Sequence, residues 1–357
     1  MRESRTSLVG KLSMTSHPVA RSSHTAARVE ISHNFESILA EWWDLFQRCP
    51  DATPFHSPAW LLPWWNCFGC GVPIIVTVRH HTNLVGLGLF YVYAPGAAAE
   101  PKLFFIGKAV SDYLDVLVVP GENRTQVARQ ILDCALHRTS AWQIAEFDRL
   151  PPSSSILQVE GSACVKDGVC PEIRLNGSRL EEFVTSKSTI INLRNRSRRA
   201  HKVGKVEFIT ANHQNYEFLM DTLVTLHSKR MSAVGRPGMF SDPNMTEFLL
   251  GAGCQLLRAG MLRLHVMRLN GTNVAVLFGM LHRGRAYLYN FGFDPAYAPI
   301  APATQLIAFA MENAAAEGAE VYDLLQGDEP YKFETWGARP RYTYRITYRR
   351  AQNRRAA

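Results

Sequence analysis

No apolar run in these 357 residues approaches the roughly 20 residues that a membrane-spanning helix needs. The N-terminus has no continuous apolar stretch of the kind a secretory signal carries, so a cytoplasmic protein is expected. The seven cysteines are odd in number and scattered, which argues against a disulfide framework. Cys134 and Cys254 lie in apolar settings and read as reduced thiols packed like small hydrophobes. Cys67 and Cys70 form a C-x-x-C, yet no second pair or histidine cluster completes a zinc site, and no metal is expected. Residues 1–28 are nearly free of acid and have no apolar period. Rich in Ser, Thr, Arg and His, they read as a disordered tail, with a transit peptide as the weaker alternative. Residues 351–357 form a second tail.

Between the tails the composition is that of a globular protein, 46% apolar and 20% charged. The length suits two domains, placed at 29–160 and 161–350. A net charge of +8 favours anionic partners. Phosphate-bearing cofactors, anionic glycans, lipid headgroups and nucleic acids all satisfy it, and charge alone does not choose among them.

The first half reads as helices over 35–46 and 59–68, strands over 74–78, 84–93, 102–106 and 113–119, a helix around Ala128–Ala135 and a strand over 142–147. The second half repeats the order with helices over 186–202, 216–228 and 243–257. A hairpin follows, 262–269 and 274–281, joined at Asn270-Gly271, a pair suited to a type I′ turn. A third strand over 285–293, a proline-broken loop, a helix with the stripe Leu306, Ile307, Ala310, Met311 and Ala314, and short strands at 321–325 and 341–348 complete it. Two copies of one α/β unit, each with a mixed sheet, account for the length.

The string VYDLLQGDEPYKFETWG at 321–337 resembles the C-terminal motif of the CelD-type (BioF2-like) GNAT N-acetyltransferases of bacterial exopolysaccharide and cellulose gene clusters. The resemblance extends to Tyr289–Pro295, to Leu226-His227-x-x-Arg230 and to the basic segment 190–202. It also reaches Phe55–Trp60 and Ser111-Asp112-Tyr113-x-Asp115. It implies tandem GNAT-like domains, similar in outline to the Fem-type aminoacyltransferases, with acetyl-CoA or another acyl-CoA as donor. The implied acceptor is an amine or hydroxyl of an amino sugar or glycan precursor. One departure stands in the cofactor loop, where Ala303 replaces a common Gly and narrows backbone approach to phosphates.

A GNAT reaction needs two reactants held together, a proton acceptor and an oxyanion donor. The cofactor cradle is expected at Ala301, Pro302, Ala303 and Thr304, where a helix start offers free N–H groups to a pyrophosphate. Asn290, Phe291 and Gly292 should lie near the thioester; core strand packing is their plainer explanation. Asp323 is a catalytic candidate as a desolvated base or a hydrogen-bonded structural Asp. Lys332 is a candidate oxyanion or phosphate ligand and Tyr331 a proton donor to the leaving thiolate, though either can simply pack. His227 and Arg230, one helical turn apart, and Asp328, Asp112 and Tyr113 are candidate acceptor contacts. A lone His on an apolar helix face is more often a core residue. Arg194, Arg198 and Lys202 share a helix face, a solvated surface or an anion groove. Two other functions stay open: a Fem-like transferase using charged tRNA, the one reading in which nucleic acid enters, and an inactive scaffold in polysaccharide assembly.

Overall fold

The computed structural model describes residues 27–350, apart from 95, 97, 98, 140 and 160–163. The two expected tails lie outside the described residues, except at their inner edge, where Arg28 opens the first strand. The first sheet runs β1 (Arg28–Ser32), β2 (Ile74–His80), β3 (Asn83–Tyr93), β4 (Lys102–Phe105), β6 (Ile144–Leu150), β14 (Tyr342–Arg349), β7 (Cys164–Val169), with β5 (Leu117–Val118) paired to β3. The second runs β8 (Glu172–Arg174), β13 (Val321–Asp323), β12 (Arg285–Phe293), β11 (Thr272–His282), β10 (Leu262–Leu269), β9 (Val206–Thr210).

Each sheet contains one parallel pair, β4 with β6 and β12 with β13. Parallel neighbours need a crossover, and a helix supplies it both times: Arg124–His137 in the first half, Pro302–Ala316 in the second. The repeated unit expected from the element order is therefore present, and the fold is a tandem of mixed α/β units. Asn270 and Gly271 both adopt positive φ, 49° and 81°, as a type I′ hairpin requires.

Two strands depart from expectation. Of the residues 113–119, only Leu117–Val118 pair; the segment before them leaves the sheet because Tyr113 turns toward the other half. The last strand is present, but it inserts between β6 and β7, so the first sheet takes strands from both sides of residue 160.

Packing explains the apolar runs. Along β11, Val276, Phe278 and Met280 enter one core while Ala275 and Leu277 enter another, so a continuous run serves two faces. The first core is shared between the halves. Trp60 packs edge-on against Phe248 at 4.9 Å and Tyr289 at 5.0 Å, and Phe55 meets Tyr287 at 6.2 Å. The second core lies under helices Lys187–Val203 and Pro302–Ala316. In β3, a Cβ on Gly86 would sit 2.4 Å from Val127 and one on Gly88 2.4 Å from Ile131, so these glycines let helix Arg124–His137 lie flat on the sheet. Cys67 falls in the last turn of helix Pro58–Phe68 and Cys70 just beyond it, both half-buried. Among the described residues no helix is long and apolar enough to cross a membrane, and no group of three His, Cys, Asp or Glu could hold a metal.

Candidate active site

The parallel pairing of β12 with β13 is short: Arg285 with Val321, Ala286 with Tyr322, Tyr287 with Asp323. β12 continues to Phe293, while the chain beyond Asp323 turns away through Leu325, held at φ 54°. Residues 288–293 thus keep β11 on one side and have no strand partner on the other among the described residues. Such an open edge can take an extended amide-bearing chain by main-chain hydrogen bonds.

The edge leads into the turn Pro295–Ile300 and the helix Pro302–Ala316. Ala301 is left-handed, φ 48°, and Pro302 occupies the first helical position, where its missing N–H costs nothing. No side chain caps this helix start, while Gln305 secures the preceding turn by donating to the Ile300 carbonyl at 2.7 Å. The first-turn N–H groups of Ala303 and Thr304 therefore remain for an anion, with the helix dipole behind them. Arg196 and Arg199, from helix Lys187–Val203, both donate to the Pro299 carbonyl. They bring two guanidinium groups beside the cradle. The sequence reading took the other flank of that helix, Arg194, Arg198 and Lys202. The i, i+3 spacing of Arg196 and Arg199 was the available signal.

Gly292 does not face the open edge. A Cβ there would lie 2.3 Å from the His227 amide nitrogen, so the residue lets helix Tyr216–Ala233 approach β12. Asn290 contacts the Met239 sulfur. Phe291 carries a cluster: Arg230 stacks over its ring at 4.2 Å and donates to its carbonyl at 3.0 Å, and Tyr331 meets it edge-on at 6.1 Å. Burial raises the Tyr331 hydroxyl, which stays protonated at neutral pH. His227 is buried beneath Phe240, with burial and then Arg230 lowering it to about 4, so its ring is neutral.

Asp323 is fully buried and joins the halves. It accepts from the Tyr113 hydroxyl at 2.8 Å, from Arg285 at 3.1 Å and from the Leu325 N–H at 2.9 Å. Arg285 also holds Glu172 at 2.8 Å. Burial pushes the Asp323 carboxyl up while Arg285 and Tyr113 oppose it. Lys332 is buried too, and its ammonium donates to the carbonyls of Leu325, Gln326 and Gly327 at 3.0, 2.9 and 3.4 Å and pairs with Glu329 at 3.0 Å. These contacts staple the 325–329 loop. Both side chains are engaged inside the protein, the arrangement that the alternatives of a hydrogen-bonded structural Asp and a packed Lys describe. Asp328 is exposed on the same loop, apart from the other candidates.

Asp112 is brought to this joint from the first half. It accepts from the Gln326 N–H, and burial raises its carboxyl to about 6 against the pull of Arg149. Nearby, Asp148 Oδ1, Arg149 Nη1 and Gln326 Oε1 are buried without a hydrogen-bond partner. Two non-glycine residues with left-handed backbone flank this joint, Arg149 and Leu325, at φ 60° and 54°. Such strain persists only where packing over-determines it, and it gathers at functional sites.

Residues 187–333 match the acetyltransferase (GNAT) domain family. These residues therefore form a GNAT-type domain, and the open edge and helix start described above fall inside the matched segment. No curated protein matches the chain by sequence. Among solved structures, FemX superposes with a TM-score of 0.66 at 11% identity, covering 90% of this chain and 98% of that one. The C-terminal domain of a protein assigned as lysylphosphatidylglycerol synthetase, from Agrobacterium fabrum, gives 0.56 at 13% identity over 88% and 92%. L-PGS from Bacillus licheniformis gives 0.52 at 13% over 83% and 92%. At such identities the likeness is one of fold.

Proposed function

We propose that this GNAT protein moves an acyl group from acyl-CoA to an amine or hydroxyl that enters between the two halves. The observation that carries the reading is the open edge of β12 beyond Tyr287, running directly into an uncapped helix start. The residues fit the donor: the Ala303 and Thr304 N–H groups for the pyrophosphate, Arg196 and Arg199 beside them, and the main chain of 288–293 for the pantetheine arm. Ala303 is half-exposed, and Ala301 already supplies the left-handed bend that a glycine would otherwise provide.

Asp112 is the group suited to take the proton. A carboxyl near 6 is mostly ionised at neutral pH yet basic enough to help an incoming nucleophile. As the acceptor nitrogen or oxygen bonds to the thioester carbon, its proton passes to Asp112. The carbon–sulfur bond then breaks, with the Tyr331 hydroxyl, held against Phe291 and Arg230, donating a hydrogen bond to the leaving thiolate; the thiolate takes its proton from solvent and Asp112 returns the acceptor's proton there. Tyr113, Asp323, Arg285 and Lys332 position both groups without touching the reactants. The free atoms of Asp148, Arg149 and Gln326 suit an acceptor rich in both donors and acceptors, such as a sugar. An amino sugar or glycan precursor accords with this.

Aminoacyl transfer from charged tRNA is the second reading, favoured by the cation-rich helix beside the cradle and by the fold shared with FemX. A thermal-shift titration with acetyl-CoA, longer acyl-CoAs, free CoA and charged tRNA separates the two. Stabilisation by acyl-CoA and not by tRNA is expected. Stabilisation by tRNA alone reverses the order, and a response to neither leaves the scaffold.

A further inference from the structure

We propose that the groove between helices Lys187–Val203 and Pro302–Ala316 docks an anionic phospholipid of a membrane surface. The phosphate would sit between Arg194 and Arg198, with the first part of an acyl chain on the groove floor. The groove has a volume of about 490 Å3. Its floor is Leu193, Phe208, Ala308 and Phe309, and its rim carries Arg194 and Arg198. Phe208 stays 37% exposed although its ring stacks on Phe309 at 4.6 Å. The one carboxylate lining the groove, Glu312, is occupied by the Leu180 N–H at 2.9 Å.

The surface around the groove has the same character. Helix Lys187–Val203 carries six Lys and Arg and no Asp or Glu. On this cationic helix Ile191, on the flank of Arg194 and Arg198, is 55% exposed. Arg198 is tied only loosely, reaching Asn195 of its own helix at 3.5 Å, and Arg194 shares one exposed pair with Glu181 at 2.8 Å. Exposed ion pairs of this kind are weak, so both guanidinium groups can turn to a phosphate. Cations beside an exposed isoleucine, above an apolar trough, suit the headgroup–acyl boundary of an anionic bilayer. A nucleic acid phosphate backbone would use the cations but leave Ile191 and the apolar floor at Phe208 unserved. The groove lies on the outer side of helix Pro302–Ala316, and the inference does not rest on the acyl-transfer reading.

Co-sedimentation of the full chain with vesicles tests it. Binding is expected to phosphatidylcholine vesicles containing phosphatidylglycerol and not to phosphatidylcholine alone. R194E/R198E should weaken that binding by about tenfold or more, since each basic residue near the surface contributes separately. R236E/R258E, which changes net charge equally at exposed positions elsewhere, should retain it. Phe208→Ser, which leaves charge unchanged, should weaken binding of soluble dihexanoyl-phosphatidylglycerol several-fold, while inorganic phosphate should not compete at equal concentration. Circular dichroism confirms that each variant folds. The inference is overturned if the wild type ignores phosphatidylglycerol or if the two charge-reversal pairs behave alike. It is also overturned if Phe208→Ser is silent, or if R194E/R198E affects only tRNA retention.

Discussion

Replacing Asp112 by Asn should make the protein more stable and less active at once. The carboxyl is carried from an ordinary 3.8 to about 6, chiefly by burial. At roughly 1.4 kcal/mol per pH unit, the charged form is disfavoured in the folded state by about 3 kcal/mol. The sign follows from proton binding: between pH 4 and 6 the folded state holds a proton that the unfolded chain has released. This contribution is therefore fully present below pH 4, lost as pH rises through 6, and absent above it. Asn mimics the protonated form in size and neutrality, but it fits the Gln326 N–H less well, so a gain of about 1–3 kcal/mol at pH 7 is expected. For a protein of this size that is a rise in Tm of roughly 1–4 °C. Melts of both proteins at pH 4, 5, 6, 7 and 8 should diverge across 4 to 6 and run parallel above. In the transfer assay the wild-type kcat/KM should fall on the acid side near pH 6, and Asp112→Asn should lose about 100-fold or more. A variant that is destabilised at pH 7, or one that keeps its activity, would refute the reasoning.

The joint gives the opposite signature. Asp323→Asn turns an amide N–H2 toward donors that now meet carboxyl oxygens, from Tyr113, Arg285 and Leu325, and should cost about 1–3 kcal/mol, with Tyr113→Phe costing about as much. The kcat of the folded fraction should change far less, so a hundredfold fall without a loss of Tm would return Asp323 to the role of base. Gly292→Ala drives a methyl into the backbone of helix Tyr216–Ala233 and should destabilise by roughly 1–3 kcal/mol in chemical denaturation; an unaffected midpoint would mean that the helix can retreat. R196A/R199A should raise KM for acyl-CoA about tenfold and leave kcat alone, because two charge-assisted contacts are lost from binding only. An unchanged KM would remove both arginines from the donor site.

The parts of the fold legible in the sequence were those with local causes. Asn270-Gly271 announced its hairpin because only residues tolerant of positive φ close a two-residue turn. The stripe Leu306, Ile307, Ala310, Met311 and Ala314 announced its helix, and Pro302 its start. β14 was legible as a strand from its alternation but not by address, since nothing in residues 341–348 encodes which sheet has a free edge. Strands β7, β8 and β9 left no readable period: they are short, and their burial is set by partners far away in the chain.

The same division explains the site. The helix start at Pro302 was readable because a helix start is a local object. The surroundings of Asp323 and Lys332 were not, because segments distant in the chain assemble them. Asp323 became a joint once Tyr113, 210 residues earlier, was found to donate to it. Lys332 became a staple once the 325–329 carbonyls were seen to fold around its ammonium. Asp112 moves the other way. In sequence it is one acid in a strand-edge turn, and its neighbours Tyr113 and Asp115 are equally polar. Only the docking of the two halves places it beside Gln326 and Arg149 and withdraws water from it. Left-handed backbone at Arg149 and Leu325, from two separate segments, lies at the same place. A chemistry that needs both halves would therefore be lost if either were expressed alone, even though the GNAT domain match covers the second half by itself.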